Sequence, residues 1–102
     1  MGEFTEAQLR ESLTESEIPD YLWDGLVAHI INGREVGGFL TAVLMNDLAN
    51  ACFRADVENK VKLCLIVTWI YNHAPSASWG SLDAVKEWQE KGGQEGIERQ
   101  RG

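Results

Sequence analysis

The residues whose types could do chemistry sit around the middle of the chain. Asn46, Asp47 and Asn50 fall within five positions of one another, and Arg54 follows. Asn and Asp are mediocre helix formers that usually serve caps and turns, so their density inside a helical pattern points to hydrogen bonding. Just upstream, Val36-Gly37-Gly38-Phe39 enters a helix with free backbone N–H groups at its positive end, a geometry that suits phosphate, and Arg34 precedes it. The commoner role of such glycines is to turn a helical hairpin. Arg54 is equally suited to a ligand anion and to a structural network with Asp56, Asp47 or Asn50. Tyr21, Trp23 and His29 can stack on a nucleobase if their side of a helix lines a pocket between subunits, although Trp23 reads first as core.

Catalysis finds little support. His29 and His73 have no Ser or Cys partner in a nucleophile motif, and no glycine-rich phosphate loop with Lys follows a strand. Asp20 and Asp24 share a helix face, but acidic residues early in a helix usually serve the dipole and solubility. Cys52 and Cys64 stand twelve apart without a Cys-x-x-Cys pair or a companion His, so they read as structural, and no metal is expected.

These groups need elements to hold them. In a chain of 102 residues there is room for one domain and one modest core, and four Trp, three Phe and two Tyr are a heavy aromatic load for it. Residues 1–17 read as an extension with a frayed start and a short helix, with Thr5 and Gln8 in capping-box register. Residues 18–91 read as the helical domain. Pro19 opens a helix over 19–32 that Gly33 ends, with Leu22, Trp23, Leu26, Val27, Ile30 and Ile31 inward. Phe39, Leu40, Val43, Leu44, Leu48, Ala51 and Cys52 then mark one long helix, kinked or broken where Asp56 can cap a restart. The helix that follows is apolar nearly all round from Leu63 to Tyr71, more than one small subunit hides on every side. Ser81 caps a last helix, Leu82 to Lys91, with Leu82, Val85 and Trp88 inward, and residues 92–102 read as a flexible tail. The expected fold is all-α, a small domain of about four helices that assembles into oligomers.

The net charge of -7 argues against DNA or RNA as a partner, because such binding draws its affinity from neutralised phosphates. A small anion needs only a local basic pocket, which Arg34, Arg54, Lys60 and Lys62 can supply near the centre. The polar N-terminus and the shortness of the apolar runs indicate no membrane partner and a cytoplasmic location.

The series Ile18-Pro19, Gly33, Gly38-Phe39-Leu40-Thr41-Ala42-Val43-Leu44, Asn46-Asp47-Leu48, Arg54-Ala55-Asp56, Asn59, Tyr71-Asn72, Pro75 and Trp79-Gly80-Ser81 resembles a family of small phage-encoded helical proteins. That family includes the anti-CBASS cyclic-oligonucleotide sponges, the second anti-CBASS protein family. The likeness spans residues 18 to about 90. It implies a helical fold whose protomers assemble, typically as a hexamer, and hold cyclic di- and trinucleotides between subunits without cleaving them. The setting would be the cytoplasm of an infected bacterium, where such a sink starves immune effectors. Chemistry, rather than transfer from the family, marks the ligand residues: Arg34 and Arg54 for phosphate charge, the Gly38 amide and Thr41 hydroxyl at the helix start, Tyr21 and His29 for base stacking, and Asn46 for base or ribose edges. No cofactor is implied. The rival expectation is a small acidic helical module that occupies a host protein.

Overall fold

Short polar side chains decide where the helices of this chain begin, and apolar faces decide how they meet. A computed structural model describes residues 4–101, and those residues form seven α-helices with no strand among them. Thr5 caps α1 (Glu6–Thr14) through a complete capping box with Gln8. A 3₁₀ turn, Asp20–Leu22, leads into α2 (Trp23–Asn32). Gly33 ends α2 in the left-handed conformation, φ 67°, as its position predicts.

The stretch expected as one long helix, kinked or broken near Asp56, is broken there and also, unexpectedly, at Asn46. After α3 (Gly38–Leu44) the chain turns through Met45 to Asp47, where Asn46 takes φ 63°. Asp47 then caps α4 (Leu48–Arg54), accepting from the Asn50 amide. Ala55 is extended, and Asp56 caps α5 (Val57–His73) by accepting from the Asn59 amide. The cluster of Asn and Asp therefore breaks helices, which is the role their propensities favour. A second 3₁₀ turn, Ser76–Ser78, precedes α6 (Leu82–Glu90), capped by Ser81, and α7 (Gly93–Arg101) closes the chain.

Seven helices rather than about four reflect both these breaks and the two chain ends. α1, expected as an extension, buries Leu9 and Leu13 completely. Its Ser12 Oγ accepts from Trp69 Nε1 on α5 at 3.0 Å, and Arg10 reaches Asp24 on α2 at 2.9 Å. Where a loose tail was expected, α7 lies against α2, and Gln94 Nε2 donates to the Phe4 carbonyl at 2.9 Å. The frayed start was expected partly at residues 1–3, which with Gly102 lie outside the described residues.

The core joins Leu26, Val27 and Ile30 of α2, Leu40, Val43 and Leu44 of α3, Ile66, Trp69 and Ile70 of α5, and Val85 of α6. Leu82 does not join it, because at the first turn of α6 it faces solvent. Cys52 and Cys64 are exposed thiols rather than core residues. α5 buries one face and leaves the other bare: Val57, Val61, Cys64, Thr68 and Tyr71 are all exposed. Among the described residues no helix is long and apolar enough to cross a membrane.

Candidate ligand groove around Arg54

The break after α4 places Arg54 at a helix end from which its side chain folds back over α3. A Cβ built on Gly38 would stand 2.8 Å from Arg54 Nη1, so the bare glycine is what lets the guanidinium lie against the α3 backbone. Thr41, Ala42, Met45 and Asn50 complete a groove of ≈ 210 Å³ with Gly38 and Arg54. Three of the seven residues chosen from sequence, Gly38, Thr41 and Arg54, thus converge.

Arg54 makes no ion pair among the described residues. The carboxylates expected to hold it are engaged elsewhere: Asp47 accepts from Asn50 Nδ2 at 2.6 Å, and Asp56 accepts from the Tyr21 hydroxyl at 2.8 Å and the Asn59 amide at 2.8 Å. In a chain with sixteen acidic residues against nine basic ones, an exposed guanidinium left over beside a hydroxyl and an amide can receive an anion. The Thr41 hydroxyl donates to the Val36 carbonyl at 3.1 Å, which leaves its oxygen able to accept. With only seven residues in α3, the groove rests on its side chains rather than on the helix dipole.

The other four residues lie elsewhere. Arg34 is exposed in the linker after α2 and does not line the groove. Asn46 lines a different, mostly apolar depression with Leu48, Ala51, Leu63 and Val67, whose ≈ 30 Å³ holds little more than one water. Its work is the left-handed turn between α3 and α4, which Asn tolerates better than most residues. Tyr21 is exposed and does not line the groove, its hydroxyl tied to Asp56. That bond, with partial burial, raises the Tyr21 pKa, and the Asn59 amide followed by the Tyr21 hydroxyl lowers that of Asp56.

His29 is a correction. It is fully buried, so it cannot stack on a ligand. The spacing that places it beside Tyr21 on paper carries it into the core between α2 and the 76–78 turn. Nε2 donates to the Ser78 carbonyl at 2.8 Å, and Nδ1 has no partner. Burial, partly offset by that carbonyl, lowers its pKa from 6.5. The unfolded chain therefore binds the proton more readily than the native one. The stability this contributes is complete above about pH 6.5 and declines as pH falls from there through the lowered native value. Urea unfolding between pH 7.5 and 5 is expected to show this loss of stability, and His29→Gln to flatten it; an equal slope in the variant would contradict the assignment.

Sequence reasoning marked Asn50 but missed Asn59, which is 4% exposed and has an Oδ1 without a partner. Its signal was spacing: 59, 63, 66 and 70 share the inward face of α5. No protein-family model matches the chain, and no similar curated protein and no similar solved structure is found.

Proposed function

We propose that this protein is a non-catalytic binder that self-associates and sequesters cyclic di- or trinucleotides, with phosphate held at Arg54. One observation carries the reading: in an acidic chain, Arg54 is free of every described carboxylate and lies in a groove beside Gly38, Thr41 and Asn50. The neighbouring Phe53 begins an exposed apolar stripe that continues along α5, which supports placing the groove near an interface between copies. The immune-evasion role, the phage setting and the hexameric state rest on the sequence resemblance alone.

Calorimetry against a panel of cyclic di- and trinucleotides tests it. A charge-assisted phosphate contact is worth about 1.5–3 kcal/mol, so Arg54→Ala should weaken binding about tenfold or more, and the nucleotide should be recovered intact. A folded wild type that binds none of the panel at tens of micromolar removes the proposal.

A second reading, a module that docks on a host protein, is favoured by the acidic surface of α1 and the segment after it, where Glu6, Glu11, Glu15 and Glu17 are exposed. It is distinguished by a stoichiometric complex with a basic host protein that survives Arg54→Ala.

A further inference from the structure

α1 ends on two carboxylates that the helix itself does not favour. Glu11 lies in its last turn and Glu15 is its C-terminal cap, at the negative end of the helix dipole, and at a spacing of four the two repel each other. Neither is paired with a Lys, Arg or His among the described residues, and Arg10 of the same helix turns instead to Glu6 and Asp24. A folded chain that keeps a locally unfavourable choice usually has a use for it. Here both residues line an open hollow of ≈ 240 Å³ between α1 and the end of α5, together with Phe4, Gln8, Ser12 and His73.

The hollow is rich in acceptors and poor in donors. Ser12 Oγ donates its hydrogen to the Leu9 carbonyl at 2.8 Å and accepts from Trp69 Nε1. His73 Nδ1 lies 3.0 Å from the Trp69 carbonyl, which can only accept, so the neutral ring carries its hydrogen there. Nε2 is then an acceptor, with no partner among the described residues. The same bond fixes the ring, as does stacking on Trp69 with 4.9 Å between centroids and 18° between planes, and Phe4 packs beside it at 5.3 Å. Of the lining side chains only Gln8 keeps a spare donor, its NH₂, since its oxygen is held by the Thr5 amide. Two unpaired carboxylates and an imidazole nitrogen therefore share one space that aromatic rings wall on its apolar side.

We infer that this hollow binds a primary alkylammonium group. Its three N–H donors, on one cationic nitrogen, match Glu11, Glu15 and His73 Nε2, while its alkyl stem lies along Phe4 and the His73 ring. The same two charges disfavour phosphate. The site is independent of the Arg54 groove, with which it shares no residue. A free polyamine and a lysine side chain both present this group.

The test compares n-butylammonium with tetramethylammonium, isomers of equal charge of which only the first has N–H donors. Each is titrated as its chloride into the ¹⁵N-labelled full chain at about pH 8, replacing an equal concentration of NaCl so that screening stays constant. Butylammonium should shift the backbone amides of Glu11, Ser12, Glu15 and His73 with a Kd on the order of 10 mM, and tetramethylammonium should bind about tenfold more weakly or worse. Equal binding marks a diffuse acidic surface, and tighter binding by tetramethylammonium marks a plain aromatic cage. Either result overturns the site, as does a protein that butylammonium leaves unmoved.

Glu11→Gln with Glu15→Gln, both at exposed positions, should abolish the response while leaving Tm unchanged or higher, because a repelling pair is removed. His73→Phe keeps the aromatic wall and loses Nε2, so it should weaken butylammonium about tenfold and leave tetramethylammonium as it was. Undiminished binding of butylammonium by either variant overturns the assignment. Butane-1,4-diamine and Nα-acetyl-lysine methylamide then separate the sources: tighter binding than butylammonium by one of them supports the site and identifies a free polyamine or a polypeptide as its occupant. Arg54→Ala should bind butylammonium as the wild type does, so that a failure here and a failure of the nucleotide reading are told apart.

Discussion

Gly33→Ala is expected to reduce the unfolding free energy by about 3 kcal/mol, from a left-handed backbone costing roughly 1–2 kcal/mol and an overpacked contact costing about 1–3 kcal/mol. Gly33 takes φ 67° at the end of α2, and its N–H donates to the His29 carbonyl at 3.0 Å. A Cβ there would meet Gly92 C and Trp88 O, each at 2.9 Å, and come nearer still to Gly93 N. The contact is reciprocal: a Cβ on Gly93, φ 71°, would stand 2.7 Å from both Ile31 O and Asn32 C. All of these are backbone atoms, which cannot swing aside as a side-chain end can. α2 and α7 touch main chain to main chain at this point, and Trp88 Nε1 donating to His29 O at 2.8 Å seals the same corner. For a domain whose total stability is typically about 5–15 kcal/mol, the loss is large. Urea denaturation should show it together with a fall in Tm of roughly 10 °C or more, at about 4–8 °C per kcal/mol for a chain of this length. Gly93→Ala should cost a similar amount, and the double variant less than the sum, since both disrupt one contact. A loss under about 1 kcal/mol for Gly33→Ala would mean that α7 can leave without disturbing α2.

That corner also shows where sequence was legible and where it was not. The stop signal at Gly33 could be read because it is local: an apolar helical stripe, then a residue free to take positive φ. The Thr5, Asp56 and Ser81 caps were readable for the same reason, each satisfying amides within three residues. The partnership of Gly33 with Gly93 was not, because it joins residues sixty positions apart and involves no side chain on either. Residues 94–102 read as loose in the sequence because they are polar and glycine-bearing after Gly92-Gly93, yet tertiary contact with α2 outweighs that propensity and α7 forms. The central segment failed differently. Its apolar spacing runs across Asn46 without interruption, so periodicity suggests one helix from Phe39 to Cys52; capping by Asp47 divides it, in addition to the break that Asp56 signals. Of the site residues, Gly38, Thr41 and Arg54 are each marked in the sequence by their chemistry, but what brings them together is the turn at Asn46 that folds α4 back on α3, which periodicity does not show. His29 could not be placed from sequence, since whether a polar residue on an amphipathic helix faces core or cleft depends on what covers it, here the Ser78 turn.

Val61→Glu combined with Phe53→Glu is expected to turn a self-associated protein into one with the light-scattering mass of a single chain, at tens of micromolar and with little change in Tm. The two side chains are 78% and 83% exposed, so charging them leaves the core intact. What they should disrupt is a seam. Val57, Val61, Cys64, Thr68 and Tyr71 are exposed and separated by four, three, four and three residues, the spacing that lets one helix lie along another. Phe53 extends the line across the break before α5. From Leu63 to His73 the helix carries no Asp, Glu, Lys or Arg, which matters in a chain of net charge -7, since copies of an acidic protein can meet closely only where that charge is absent. Fully burying a side chain such as Val or Phe contributes about 1.5–3 kcal/mol, and several together exceed the lower estimates of what association costs. A wild type that already runs as one chain at these concentrations would leave the seam without its partner. Because Arg54 follows Phe53 directly, assembly and anion binding should also be linked: if ligand sits at the junction of copies, a cyclic nucleotide must strengthen the assembly by the same factor that assembly strengthens its binding. Repeating the mass measurement of the wild type with and without ligand, near the concentration at which it dissociates, tests that equality, and a mass indifferent to bound nucleotide would place the Arg54 groove away from any interface.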